Sequence, residues 1–133
     1  MIRSGTAVLA LFFGTLASVG SAEPTDELMQ SATSCYVGAT AFERVLAASD
    51  EERLLFRSFA NAVEPVVALL PDYSGLSQRE WEIVLESNVQ TMVEGLVAAR
   101  RSGQLPAWRV TRIRAEVEAV CNQAATLRAK EGF

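Results

Sequence analysis

Two cysteines, Cys35 and Cys121, are the side chains in this sequence whose chemistry is most specific. Each lies on the apolar face of a predicted helix, and the chain begins with an export segment described below. Cysteines in an oxidising compartment usually form disulfides, so we expect a bond between these two residues. The alternative is a pair of buried free thiols. Because the sequence has no Cys-x-x-Cys motif, thiol exchange chemistry is not expected.

Histidine is absent from all 133 residues, and its absence excludes several classes of site. A Ser-His-Asp triad, a zinc site with histidine ligands, covalently attached haem and the Glu-x-x-His pairs of di-iron bundles all require it. The sequence also lacks a Gly-rich phosphate-binding loop. We therefore expect a protein without a cofactor and without a metal.

Glu82 and Glu86 are the remaining candidates for acid–base chemistry, because they share a helix face at i, i+4. Arg79, Glu80 and Gln90 flank them on a side that the pattern predicts to be solvated. Catalytic carboxylates usually lie in buried, perturbed environments, and nothing in this stretch indicates one. We therefore do not expect an enzyme.

Arginines cluster around one predicted helix–helix connection, next to a tryptophan. The cluster predicts contact with an anionic partner, either a lipid headgroup or an acidic protein, because guanidinium groups bind such groups well. The alternative is that the carboxylates of Asp50, Glu51 and Glu52 neutralise these arginines and the nearby Arg114 across one end of the fold. The residues expected to contact a partner are Arg100, Arg101, Trp108, Arg109 and Arg112.

The first 22 residues have the three parts of a secretory signal peptide. Arg3 supplies a positive charge, residues 7–19 are nearly all apolar, and residues 20–22 are small. The alternative is an uncleaved anchor, but the apolar run is shorter than the roughly 18–20 residues that span a bilayer. We expect cleavage after residue 22 and a mature domain, residues 23–133, in the periplasm or outside the cell.

The mature chain would have 111 of the 133 residues, which suffices for one domain. Cleavage removes one of the 12 basic residues and none of the 16 acidic ones, so the formal charge changes from −4 to −5. Nucleic-acid binding needs a net basic surface, and we do not expect nucleic acid as a partner.

Capping signals divide the mature chain into four predicted helices. Thr25, Ser49 and Ser77 are typical first caps, and Pro106 suits the first turn of a fourth helix that ends near residue 130. A glutamate three residues after each of the two serines completes the pattern of a capping box. Pro65 lies inside the second helix, which we therefore expect to be kinked or split there.

Each predicted helix has an apolar face at steps of three and four residues, and no stretch alternates like a strand. The faces are Leu28, Ala32, Cys35, Ala39, Phe42 and Leu46 in the first helix, Leu55, Phe59, Ala62, Val66 and Leu69 in the second, Trp81, Leu85, Val89, Met92, Leu96 and Ala99 in the third, and Val110, Ile113, Val117, Cys121, Ala124 and Leu127 in the fourth.

These elements predict an all-α, single-domain four-helix bundle with up-down-up-down topology, because short connections favour antiparallel neighbours. In such a bundle Cys35 and Cys121 come level when the first and last helices are adjacent. At 1.5 Å per residue, both lie about 13–14 Å from the same end. The disulfide would then join the first helix to the last.

The function that fits these features is binding rather than catalysis. We expect an exported interaction protein, an envelope accessory or chaperone-like module, with exposed apolar area among Tyr73, Trp108 and Phe133. Its partner would be another protein of the envelope or extracellular space, with peripheral contact to an anionic membrane as a further expectation. The alternative is a bundle that binds a small ligand or lipid, in a cavity opened by Pro65 and the small residues at 31–41. The oligomeric state is left open.

Overall fold

Residues 23–133 are the part of the chain that the computed structural model describes, and their secondary structure is helical. The helices are α1 (Asp26–Val45), α2 (Asp50–Val67), α3 (Leu70–Ser74), α4 (Gln78–Arg101) and α5 (Ala107–Glu131). No strand occurs within this range, so the predicted all-α class is confirmed. The predicted signal peptide, residues 1–22, lies outside the described residues.

Side-chain caps start α1 and α4 where the sequence predicts them. The hydroxyl of Thr25 accepts a hydrogen bond from the amide of Leu28 at 3.1 Å. At the start of α4, Ser77 Oγ accepts from the Glu80 amide at 3.1 Å, and Glu80 Oε1 accepts from the Ser77 amide at 2.9 Å. These bonds satisfy amides that have no partner within the helix, and the predicted capping box at Ser77 is therefore complete.

At the start of α2, only half of the predicted capping box forms. Ser49 Oγ accepts from the amide of Glu52 at 3.1 Å, as expected. The carboxylate of Glu52 instead accepts from the amide of Ala48 at 2.8 Å, and its second oxygen pairs with Arg114 of α5. Glu52 therefore links the start of α2 to α5 as well as capping the helix.

Helix α1 is the centre of the fold, because α2, α4 and α5 all pack against it. The six residues of its predicted apolar face, Leu28 to Leu46, are all buried. The ring of Phe42 stacks on Phe56 of α2 with centroids 4.2 Å apart, and Phe59 meets Phe56 edge-on at 5.3 Å. Helices α4 and α5 pack on α1 rather than on each other. The described residues therefore form a single compact domain around α1.

The buried face of α2 differs from the predicted one by one residue along the helix. Leu55 and Leu69 are exposed, whereas the neighbouring Phe56 and Leu70 are buried. Leu54, Leu55 and Phe56 form an apolar run, so periodicity alone allowed two faces. The stacking of Phe56 on Phe42 accounts for the face that is buried, because an aromatic pair buries more apolar area than a leucine.

Pro65 lies inside a continuous α2, which ends two residues later at Val67. The five-residue helix α3 follows, and Gly75 ends it with φ of +79°. A left-handed C-terminal residue of this kind favours glycine, because other side chains are strained there. Residues 23–133 therefore contain one more helix than the four predicted for them.

No helix in residues 23–133 is long and apolar enough to cross a membrane.

Candidate interaction sites

The Cys35–Cys121 disulfide joins α1 to α5, as expected from the sequence. The Cα atoms of the two cysteines are 4.8 Å apart, and both residues are buried. At the end of the same helix pair, the carboxylate of Glu131 accepts from the Thr25 amide at 2.9 Å and from the Thr25 hydroxyl at 2.6 Å. The first turn of α1 is therefore tied to the last turn of α5, and the two helices lie side by side in opposite directions.

Small residues of α1 allow this close approach. A Cβ atom placed on Gly38 would lie 3.3 Å from Cγ2 of Val117 on α5, which is tighter than an ordinary van der Waals contact. Gly38 is buried one turn after Cys35. At this position the small side chains of α1 therefore serve close helix packing.

The predicted partner-contact residues all lie at the connection between α4 and α5, and we call them the arginine patch: Arg100, Arg101, Trp108, Arg109 and Arg112.

The indole of Trp108 is the most exposed of the large hydrophobic side chains, at 65%. Arg109 folds back on the connection, where its Nη1 donates to the carbonyl of Gln104 at 2.8 Å. Arg112 follows Trp108 by four residues and therefore shares its side of the helix. Two arginines therefore neighbour an exposed indole along the first turns of α5.

Ion pairing leaves most of the arginine patch without a carboxylate partner. In the described range, Arg100, Arg101 and Arg109 belong to no ion pair. Arg112 pairs with Glu116 at 3.6 Å, and both side chains are about two-thirds exposed or more, so this pair adds little. The predicted neutralisation by the acidic start of α2 involves Arg114, which pairs with Glu52 and lies over the Phe42 ring.

The start of α5 adds no compensating negative charge. Its N-cap is Pro106, which makes no side-chain cap bond, and its first turn contains no acidic residue. By contrast, α1, α2 and α4 all have a hydroxyl cap and at least one acidic residue in the first turn. Acidic residues normally offset the positive end of a helix dipole, so this end of α5 stays electropositive.

The outer side of α4 is a second candidate site, and the sequence did not predict it. Only Val89 is buried among the 24 residues of this helix. The predicted core residue Met92 is 43% exposed, and Ile83 is 60% exposed. Periodicity could not reveal this, because an apolar face that awaits a partner has the same spacing as a core face.

We define the α4 surface as five exposed, uncharged residues over about two and a half turns: Ile83, Val84, Ser87, Thr91 and Met92.

Charged side chains surround the α4 surface rather than interrupt it. Glu80 and Glu94 lie before and after it on the helix, and both are exposed. Glu86 pairs with Arg44 of α1 at 3.2 Å, with 62% and 44% of the two side chains exposed. The surface is therefore uncharged at its centre and acidic at its rim, an arrangement typical of protein interfaces.

A surface groove of about 560 Å³ lies where α3 meets the first half of α1. Met29, Leu70 and Tyr73 provide its apolar lining, and the Tyr73 hydroxyl donates to the carboxylate of Asp26. Thr33 and Ser34, from the small-residue stretch of α1, line it too, whereas Pro65 does not. The groove is open to solvent and large enough for a small ligand.

The predicted exposed aromatic residues divide into two groups. Trp108 and Tyr73 are exposed, while Phe133 is only partly exposed and packs against the core. Trp81, expected in the core, is half-buried, and its indole Nε1 is buried without a hydrogen-bond partner in the described part of the chain.

The acid–base groups of α4 behave as surface groups. Glu82 is exposed and accepts a bond from Gln78 Nε2 at 3.1 Å, and Glu86 has the ion pair with Arg44. Nearby, burial raises the pKa of the Tyr36 phenol above its ordinary 10.0, with further contributions from Glu64 and Glu86. No three candidate metal ligands cluster within residues 23–133.

No known protein family, curated protein or solved structure matches this chain.

Proposed function

We propose that this chain is an exported helical protein that acts by binding another protein of the envelope or extracellular space, as an accessory or chaperone-like module. In this proposal residues 1–22 are removed as a signal peptide. The four long helices form an up-down-up-down bundle that the disulfide closes. The function requires no cofactor and no catalysis.

The observation that supports binding is the α4 surface. Helix α4 buries Val89 and packs partly buried side chains such as Trp81 and Leu85 against the core, yet it also exposes Ile83, Val84 and Met92. Covering such side chains releases about 25 cal/mol per Å² of apolar area, which favours a partner. The acidic rim indicates that this partner is a protein with an apolar patch bordered by basic residues.

Site-specific photo-cross-linking in the native cell tests this proposal. A photoreactive amino acid at Ser87, in the centre of the α4 surface, should give one adduct of discrete mass with a different protein. Ile83→Glu should abolish the adduct, because a carboxylate would be desolvated in the interface. Leu54→Glu is the matched control, since Leu54 is equally exposed, at 61% against 60%, on another helix.

Three results would contradict the proposal. No adduct would show that the surface is unoccupied, and an adduct with twice the mass of the chain would show self-association instead. An adduct that Leu54→Glu removes as effectively as Ile83→Glu would show that the contact is not specific to α4. Thermal unfolding of both variants checks that each remains folded.

The groove beside Tyr73 supports a second candidate function, the binding of a small apolar ligand. Its lining combines Met29 and Leu70 with the hydroxyls of Thr33, Ser34 and Tyr73. Native mass spectrometry after gentle purification should then show a bound small molecule that Leu70→Arg displaces. A protein that is empty under these conditions, and whose melting temperature does not rise with apolar ligands, would contradict this function.

A further inference from the structure

We infer that the arginine patch is a separate binding surface for the phosphate groups of an anionic lipid bilayer, so that the protein works at a membrane surface. This inference does not depend on the α4 surface, which lies on another part of the same molecule.

The connection between α4 and α5 is basic although the protein is acidic and the acidic start of α2 lies close to it. Five arginines and no acidic residue occur in the 21 residues from 95 to 115. Arg100, Arg101 and Arg109 have no carboxylate partner within residues 23–133, so no counter-charge neutralises them. Arg100 and Arg109 each donate one hydrogen bond to a backbone carbonyl, of Val45 and Gln104, and keep their positive charge.

Salt screens the arginine patch from the acidic residues at the far end of the fold. The 20 residues of α1 span about 30 Å, so the acidic groups near its start lie about three Debye lengths from the patch at about 0.1 M salt. The nearer carboxylates of Asp50 and Glu52 are paired with Arg53 and Arg114. The net charge of the whole chain therefore does not decide how this end interacts.

The exposed indole of Trp108 favours a membrane over other anionic partners. Indole rings prefer the boundary between headgroups and acyl chains, and arginine side chains next to them can reach phosphate oxygens. Trp108 is 65% exposed, with Arg109 beside it and Arg112 one turn further on. The residues from 102 to 108 that precede and include it are uncharged.

The shape of the region favours a flat surface as well. The patch is the turn between the end of α4 and the start of α5. A projecting turn can place an indole and several guanidinium groups against a bilayer, whereas an acidic protein segment would gain more from a concave site.

Co-sedimentation with vesicles tests the inference on the purified mature protein. We expect binding to vesicles of phosphatidylglycerol and phosphatidylethanolamine, weakening as salt is added, and none to phosphatidylcholine. Arg101→Glu combined with Arg109→Glu should weaken the partition coefficient about tenfold or more, because each basic residue near an anionic surface contributes favourably. The indole emission should shift to the blue on binding, and Trp108→Phe should remove that shift.

The matched control is Arg79→Glu combined with Lys130→Glu, which changes the net charge equally at the start of α4 and the end of α5. This control should bind almost as well as the unmodified protein. The inference is overturned if the anionic vesicles do not bind the protein, if the patch variant binds normally, or if the control variant loses binding to the same extent. Circular dichroism shows whether each variant is folded. The Ser87 adduct is measured independently, so failure of one proposal leaves the other standing.

Discussion

Ser77 shows how single side chains decide where helices begin in this protein. Its hydroxyl and the carboxylate of Glu80 each accept a hydrogen bond from a backbone amide at the start of α4. Replacing an N-cap serine by alanine typically costs about 1 kcal/mol, and we expect Ser77→Ala to lower the free energy of unfolding by about that amount. Chemical denaturation measures the change. Ser87→Ala, at an exposed position inside the same helix, should change it by less than about 0.5 kcal/mol.

The same cap gives a pH dependence of known sign. Hydrogen bonds from the amide and then the hydroxyl of Ser77 lower the pKa of Glu80 below its ordinary 4.5. A lowered pKa in the folded state means that this stabilisation is fully present above pH 4.5. It is lost as the pH falls through the folded-state value. The stability difference between the unmodified protein and Glu80→Ala should therefore shrink in acid, and a constant difference down to pH 2 would contradict this account.

Local signals of this kind made the helix starts predictable, because a cap and its first turn are only a few residues apart. Thr25, Ser49 and Ser77 all act as N-caps, and Pro106 precedes α5 as expected. Tertiary packing could not be predicted with the same detail. Either of two apolar faces was available to α2, and contact with α1 buries the one containing Phe56 rather than the one containing Leu55.

The contact between α1 and α5 is the main prediction at the scale of helices. We expect Gly95→Ala to stabilise the protein by up to about 1 kcal/mol, because alanine favours a helix and a Cβ there meets no atom within 4 Å. Gly38→Ala gains the same helix propensity but places its Cβ 3.3 Å from Val117. It should therefore stabilise clearly less than Gly95→Ala, or destabilise. Thermal and chemical unfolding of the two variants make the comparison, and equal stabilisation would show that α5 does not approach α1 closely.

Helix α4 marks the limit of what periodicity reveals about a functional surface. The spacing predicts a core face, and Val89 is buried and Trp81 packs against the core, whereas Met92 on the same predicted face is 43% exposed. The pattern records that the face is apolar but not what covers it, since a partner and a core impose the same spacing. The arginine patch was predictable as a cluster in the sequence. Which arginines near this connection have a carboxylate partner could not be predicted, because the pairing of Arg114 with Glu52 depends on how α5 packs against α2.

At the scale of the whole molecule, one covalent bond closes the fold and also supports the proposed compartment. A disulfide between residues separated by 86 positions restricts the unfolded chain by about 4–5 kcal/mol in the loop-entropy model. For a domain of this size that is a large share of the usual net stability. Such a bond persists in an oxidising compartment, which agrees with export, and reduction should expose both thiols.

The most direct test of this account is the intact mass of the protein isolated from its native cells, measured before and after alkylation, with and without a reductant. We predict the mass of residues 23–133 less two hydrogen atoms, with no alkylation until the reductant is added. A chain that keeps residues 1–22, or one that takes up two alkyl groups without reduction, would contradict an exported, disulfide-closed domain.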